Sequence, residues 1–155
     1  MENTRPSKDE YYLGIAEAVT KRSTCIRRNY GAIIVKDDQI VSTGYNGSAR
    51  GEANCCDMGY CEREKQNIPK GERYELCVAL HAEENAITSA GRDKANGATL
   101  YIVGKEVADT TKLANPCPCM MCERKIKNAG IARVVGLFNE DGKQLIKDIN
   151  IHKNN

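Results

Sequence analysis

Two short motifs restrict this chain more than anything else in it: His81-Ala82-Glu83, and Pro118-Cys119-Met120-Met121-Cys122, with 38 positions from His81 to Cys119. Each opens a stretch with helical spacing, so the fold has to carry two helix starts. Pro118, just ahead of the second helix, is expected at its first-turn position, where a missing N–H costs nothing. Cys119 and Cys122, three apart, project from one face of that turn. There the exposed N–H groups and the helix dipole favour thiolates. His81, at the start of the other helix, completes a three-donor set of the kind that holds zinc with one position left for water. Glu83, two residues beyond the histidine, is the candidate proton carrier.

Cysteine usage agrees with a metal. The chain has eight cysteines and two histidines in 155 residues. Nothing in MENTRPSKDE resembles the apolar core of a secretory signal, so the chain is expected in the cytoplasm, where clustered cysteines bind metals more often than they pair. No apolar run approaches the roughly 20 residues that span a bilayer, so no membrane partner is expected. A net charge of +2, one Phe and no Trp lack the basic, aromatic surface of a dedicated nucleic-acid binder.

The rest of the chain reads as one domain over 1–155, an α/β three-layer helix–sheet–helix sandwich without internal repeats. Ser7-Lys8-Asp9-Glu10 is a capping box, followed by an apolar stripe at Tyr12, Ile15, Ala16 and Val19. Residues 32–35 and 40–45 form a hairpin around Lys36-Asp37-Asp38-Gln39. Residues 46–74 show no clear period yet form too long a stretch for an idle loop. Then follow a helix over about 81–90, a strand over 99–103, a helix over about 119–128 ending at Gly130, and a strand over 131–137. Residues 144–149 are expected to form a last short helix. The strand–helix alternation implies parallel pairing with right-handed crossovers.

The spacing H-x-E…P-C-x-x-C is a signature of zinc deaminases. Together with Tyr-Gly-Ala-Ile-Ile-Val (30–35), Thr-Gly-Tyr-Asn-Gly (43–47), Asn-Cys-Cys-Asp (54–57), His-Ala-Glu-Glu-Asn-Ala-Ile (81–87) and Cys-Glu-Arg-Lys-Ile-Lys-Asn-Ala-Gly-Ile (122–131), it makes the chain resemble the deoxycytidylate deaminases from about Ser23 to Val135. The resemblance implies the cytidine-deaminase-like fold, a five-stranded mixed sheet with helices on both faces. It implies hydrolysis of dCMP to dUMP and ammonia, feeding thymidylate synthesis, with Glu83 moving a proton to ring N3 and to the leaving amine. It implies that Asn46 bonds the sugar hydroxyl, that the Ala82 amide meets the pyrimidine carbonyl, and that Arg92 holds the phosphate. It implies a homo-oligomer, hexamer or dimer, with dCTP and dTTP as effectors.

Cys25 and Cys55 match positions where some family members bind a second, structural zinc. Cys61 and Cys77 are the candidates to complete it, with Cys56 an alternative to Cys55. Such a site would pin residues 46–80, which have few apolar side chains. Cys117 is expected just outside the catalytic donors, and His152 is expected to be exposed and uninvolved. The rival readings are a tRNA adenosine type of editing deaminase and a non-catalytic, zinc-stabilised module of the DNA-uptake type; Glu83 counts against the second.

Overall fold

The computed structural model describes residues 3–151; His152 lies outside them. In chain order the elements are α1 (Lys8–Thr20), β1 (Arg28–Lys36), β2 (Gln39–Tyr45), β3 (Gly47–Ser48), α2 (Cys55–Met58), α3 (Glu62–Lys65), a 3₁₀ turn (Tyr74–Leu76) and β4 (Ala79–Leu80). Then come α4 (Ala82–Ala95), β5 (Thr99–Glu106), α5 (Met120–Ala129), β6 (Arg133–Glu140) and β7 (Lys143–Asp148). The main sheet runs β2-β1-β5-β6-β7, with β5 and β6 parallel and the other neighbours antiparallel. It is the expected five-stranded mixed sheet, and α5 supplies the crossover that parallel neighbours require.

Successive side chains of a strand point to opposite faces, and here both faces are covered. Ala32, Ile34, Leu100, Ile102 and Val134 pack with Ala86 and Ala90 of α4 and Ile126 of α5. The alternate residues Ile33, Val35, Tyr101, Val103 and Val135 pack with Tyr12, Leu13 and Ala16 of α1. Double coverage explains why 31–35 reads as a continuous apolar run. Each fully buried Leu, Ile or Val contributes roughly 1.5–3 kcal/mol.

Local signals shape the ends. Ser7 caps α1 by accepting the Glu10 amide at 3.1 Å, half of the expected capping box. Asp37 and Asp38 both have positive φ, the geometry of a two-residue hairpin turn between strands of right-handed twist. Arg133 donates to both Asp9 (2.9 and 3.0 Å) and Asp148 (2.8 to 3.2 Å), while the Tyr101 hydroxyl donates to Asp9 at 2.7 Å. Arg133 holds the Asp9 carboxyl below its ordinary range, and the cluster ties the first turn of α1 to the β5, β6 and β7 edge.

Three expectations need correction. Residues 144–149 do not form a helix: β7 pairs antiparallel with β6, Phe138 opposite Leu145 and Leu137 opposite Ile146. Asp141 and Gly142 both take positive φ, and an Asp-Gly turn after a strand is a hairpin signal that outweighs the helix-like spacing of Leu145 and Ile149. Pro118 is not in the first turn of α5. Cys119 is the N-cap, so the proline precedes it. In the stripe of α1 the buried set is Tyr12, Leu13, Ala16 and Thr20, with Ile15 and Val19 half-buried.

Candidate active site

The start of α4 is fixed against β2. A Cβ on Gly44 would lie 2.4 Å from the Ala82 carbonyl oxygen and 2.4 Å from the Ala86 nitrogen, so only glycine lets the backbones approach this closely. Ser42 donates to the Ala86 carbonyl at 2.7 Å and Asn85 to the Tyr45 carbonyl at 2.8 Å. Glu84 accepts the His81 amide at 3.4 Å and pairs with Lys125 of α5, joining the two motif helices. Gly44→Ala is therefore expected to destabilise the fold by roughly 1–3 kcal/mol. An unchanged thermal midpoint would show that α4 is free to shift.

His81 is the N-cap of α4 and Cys119 the N-cap of α5. The His81 Nδ1 lies 3.2 Å from Cys122 Sγ and 3.5 Å from Cys119 Sγ. Among the described residues these three form the group whose donor atoms all fall within 4.8 Å of one another. On a tetrahedral zinc with the usual bond lengths, a nitrogen and a sulphur donor sit about 3.5 Å apart, so the set fits that ion. The donors also bear on one another's protons. Hydrogen bonds from Cys122 and His81 lower the Cys119 thiol to about 3, its partner Cys122 is pushed up, and hydrogen bonds to Cys119 and Cys77 raise the His81 ring to about 10. The Cys122 amide donates to Cys119 Sγ at 3.5 Å, as a helix start supports a thiolate.

Glu83 is 4% exposed and stands beside His81, Cys119 and Cys122. Burial pushes its carboxyl up, against the pull of its own backbone amide and of His81. A carboxyl whose charged form is disfavoured in this way takes up a proton more readily than a free one, as a proton carrier requires. It opens into a cavity of about 890 Å³ that Asn46, Ala82, His81 and Cys119 also line. Ala82 is the first residue of α4, where a backbone N–H has no partner within the helix. Asn46 is buried: its oxygen accepts from Ser23 and from the Tyr30 amide, and its amide donates to the Arg28 carbonyl at 2.9 Å. Those bonds occupy its oxygen and one of its two amide hydrogens.

Arg92 is elsewhere. Gly91, at φ 73 and ψ 163, breaks the helix one residue before it, and Arg92 lines a separate hollow of about 290 Å³ with Ile87, Thr88 and Asn128. Of the other cysteines, Cys55 and Cys61 are buried, Cys25 and Cys77 are half-buried, and Cys56 and Cys117 are exposed. Burial raises the Cys55 thiol to about 11, helped by Cys25, Cys77 and Cys61, so the four are neighbours. No three of their sulphurs all lie within 4.8 Å of one another. Among the cavity residues that the sequence reading did not single out are Tyr30, Arg63 and Tyr74. Tyr74 stands edge-on to the His81 ring, 5.8 Å between centroids at 82°. The conspicuous Tyr30-Gly-Ala run marked the first; nothing local marks the others.

Residues 6–137 match the cytidine and deoxycytidylate deaminase zinc-binding region. The chain belongs to that family. It is 39% identical to the deoxycytidylate deaminase of Mycobacterium phage D29, covering 85% of this chain and 95% of the relative. It is 40% identical to the deoxycytidylate deaminase of Schizosaccharomyces pombe over 84% of this chain, but spans only 37% of that relative's length. The dCMP deaminase of cyanophage S-TIM5, solved with dCMP and dUMP, superposes with a TM-score of 0.58 at 28% identity over 86% of this chain and 83% of that one. Membership confirms the expected cytidine-deaminase-like fold, and the family is a zinc-binding one. No helix among the described residues is long and apolar enough to cross a membrane.

Proposed function

We propose that this chain catalyses the zinc-dependent hydrolytic deamination of dCMP to dUMP and ammonia, as one catalytic domain over 1–155. The observation that carries the reading is the buried Glu83, two residues past a histidine donor and facing the cavity. A non-catalytic zinc module has no need of a buried carboxyl there, and burying one costs stability.

His81 Nδ1 and the sulphurs of Cys119 and Cys122 would hold the zinc. Its chemistry is to act as a Lewis acid that brings the pKa of water toward neutrality. Glu83 takes the proton that water gives up and passes it to N3 of the pyrimidine, then takes the proton of the new C4 hydroxyl and gives it to the departing amine. The Ala82 N–H bonds the pyrimidine carbonyl, and the remaining amide hydrogen of Asn46 is available to the sugar hydroxyl. Water supplies the new carbonyl oxygen of dUMP, and the 4-amino group leaves as ammonia. An ammonia-release screen over dCMP, CMP, dCTP, deoxycytidine and a tRNA tests the reading. It predicts dCMP as the best substrate, whereas tRNA as the best substrate would point to the editing class.

A second, structural zinc on Cys25, Cys55, Cys61 and Cys77 belongs to the same proposal, supported by the clustering of these thiols around Cys55. Protein purified with added metal should then carry two zinc ions per chain. Cys25→Ser should lose one and melt earlier with the catalytic ion retained; one zinc in the wild type would remove the site. The resemblance further supports a cytoplasmic homo-oligomer, hexamer or dimer, responsive to dCTP and dTTP.

A further inference from the structure

We infer that Arg63, not Arg92, is the residue that recognises the substrate's 5′-phosphate, because it is a buried guanidinium at the cavity wall whose hydrogen bonds all go to neutral carbonyls. The inference rests on the nucleotide reading above. Arg63 is 4% exposed, and Glu83 is the other buried charged side chain among the described residues. Its Nε donates to the Glu72 carbonyl at 3.2 Å, and its Nη2 to the carbonyls of Pro69 (2.9 Å) and Glu72 (2.8 Å). Its guanidinium carbon lies 4.2 Å from the centre of the Tyr74 ring. No carboxylate pairs with it among the described residues, unlike Arg27 with Glu64, Arg28 with Glu106 and Arg73 with Glu75. Those three cavity arginines each already hold a carboxylate partner. The Glu75 carboxyl feels the Arg63 charge but is bonded to Arg73. A buried cation without a directly bonded counter-charge costs several kcal/mol, and one beside a binding cavity suits an anion from outside.

The geometry leaves a hand free for it. Nη1 makes no hydrogen bond within the described protein, yet it is not among the sealed, unpartnered side-chain atoms, which are Asn29 Oδ1 and Ser48 Oγ. It therefore keeps some access to solvent, and Arg63 lines the cavity. The carbonyl bonds and the Tyr74 ring hold the fork still, and a preorganised guanidinium grips phosphate better than a mobile lysine. Tyr74 also links the two ends of the site. Its ring lies 4.2 Å from the Arg63 guanidinium and 5.8 Å from the His81 ring, so the two groups are at most about 10 Å apart. That separation is within the reach of one nucleotide with its base at the metal donors and its phosphate at Arg63. Lys70 and Arg124, exposed at the rim, add attraction without fixing position.

The test is steady-state kinetics of wild type, Arg63→Gln and Arg63→Lys on dCMP and on deoxycytidine, with zinc content recorded. Arg63→Gln should lower kcat/KM for dCMP at least ~30-fold, the scale for losing one partner of a charged hydrogen bond, and leave deoxycytidine within a few-fold. Arg63→Lys should fall between, since it keeps the charge and loses the fork. Equal losses on both substrates would overturn the inference and leave Arg63 as a clamp on residues 69–72, as would no loss on either. If Arg63→Gln does not fold, the dCMP-to-deoxycytidine ratio in Arg63→Lys decides. Should wild type turn over neither substrate, the substrate reading fails separately, and calorimetry with inorganic phosphate still tests the site. Wild type should bind phosphate, and equal binding by a folded Arg63 variant would overturn it.

Discussion

Glu83→Gln is expected to lower turnover of dCMP by at least ~10²-fold, the usual contribution of a positioned acid–base group, while zinc stays bound. Glutamine keeps the shape, the helix propensity and the capacity to accept a hydrogen bond in the pocket beside His81 and Cys122. It cannot carry a proton between water, ring nitrogen and amine. Because Glu83 is buried, no bulk-water group reaches the same place to substitute for it. Its replacement by a neutral side chain removes a buried ionisable group, so the variant should not unfold more readily than wild type. Near-normal activity in zinc-loaded Glu83→Gln would sink the assignment.

Cys122→Ser should be more severe, with loss of the catalytic zinc and a fall in activity of at least ~10³-fold. Cys122 is fully buried on α5, 3.2 Å from His81 Nδ1. A serine there cannot supply a thiolate, and two remaining donors hold zinc far less tightly than three. The zinc content should drop by one ion per chain as activity disappears, and added zinc should restore neither. A Cys122→Ser protein that keeps both its zinc and its turnover would remove the donor set proposed here. The same loss after chelation of wild type, reversed by zinc, would separate metal chemistry from misfolding.

What could be read from the chain depended on how local the cause was. The metal donors were legible because Cys119 and Cys122 share one helical turn and His81 starts another, and helix starts announce themselves through caps and spacing. The β1–β2 hairpin was legible from the polar turn at 36–39. The β7 edge was misread because Leu145, Ile146 and Ile149 carry a helix-like spacing, and a half-exposed edge strand with Lys143, Lys147 and Asp148 lacks the alternation that marks a buried one. Arg92 is a position that the family resemblance implies, and Gly91 breaks α4 just before it. Arg63 left no trace in the sequence at all. Its burial depends on how residues 61–77 fold back over Tyr74, and that stretch has neither period nor caps.

The central claim is that water replaces the 4-amino group of dCMP at this site. Turnover in ¹⁸O-labelled water, followed by mass spectrometry of the nucleotide and assay of ammonia, tests it most directly. The predicted result is dUMP carrying one solvent oxygen, with ammonia released in equal amount, in zinc-loaded wild type and not in Glu83→Gln. Zinc-loaded wild type that forms no dUMP from dCMP, or forms it without the label, would contradict the account.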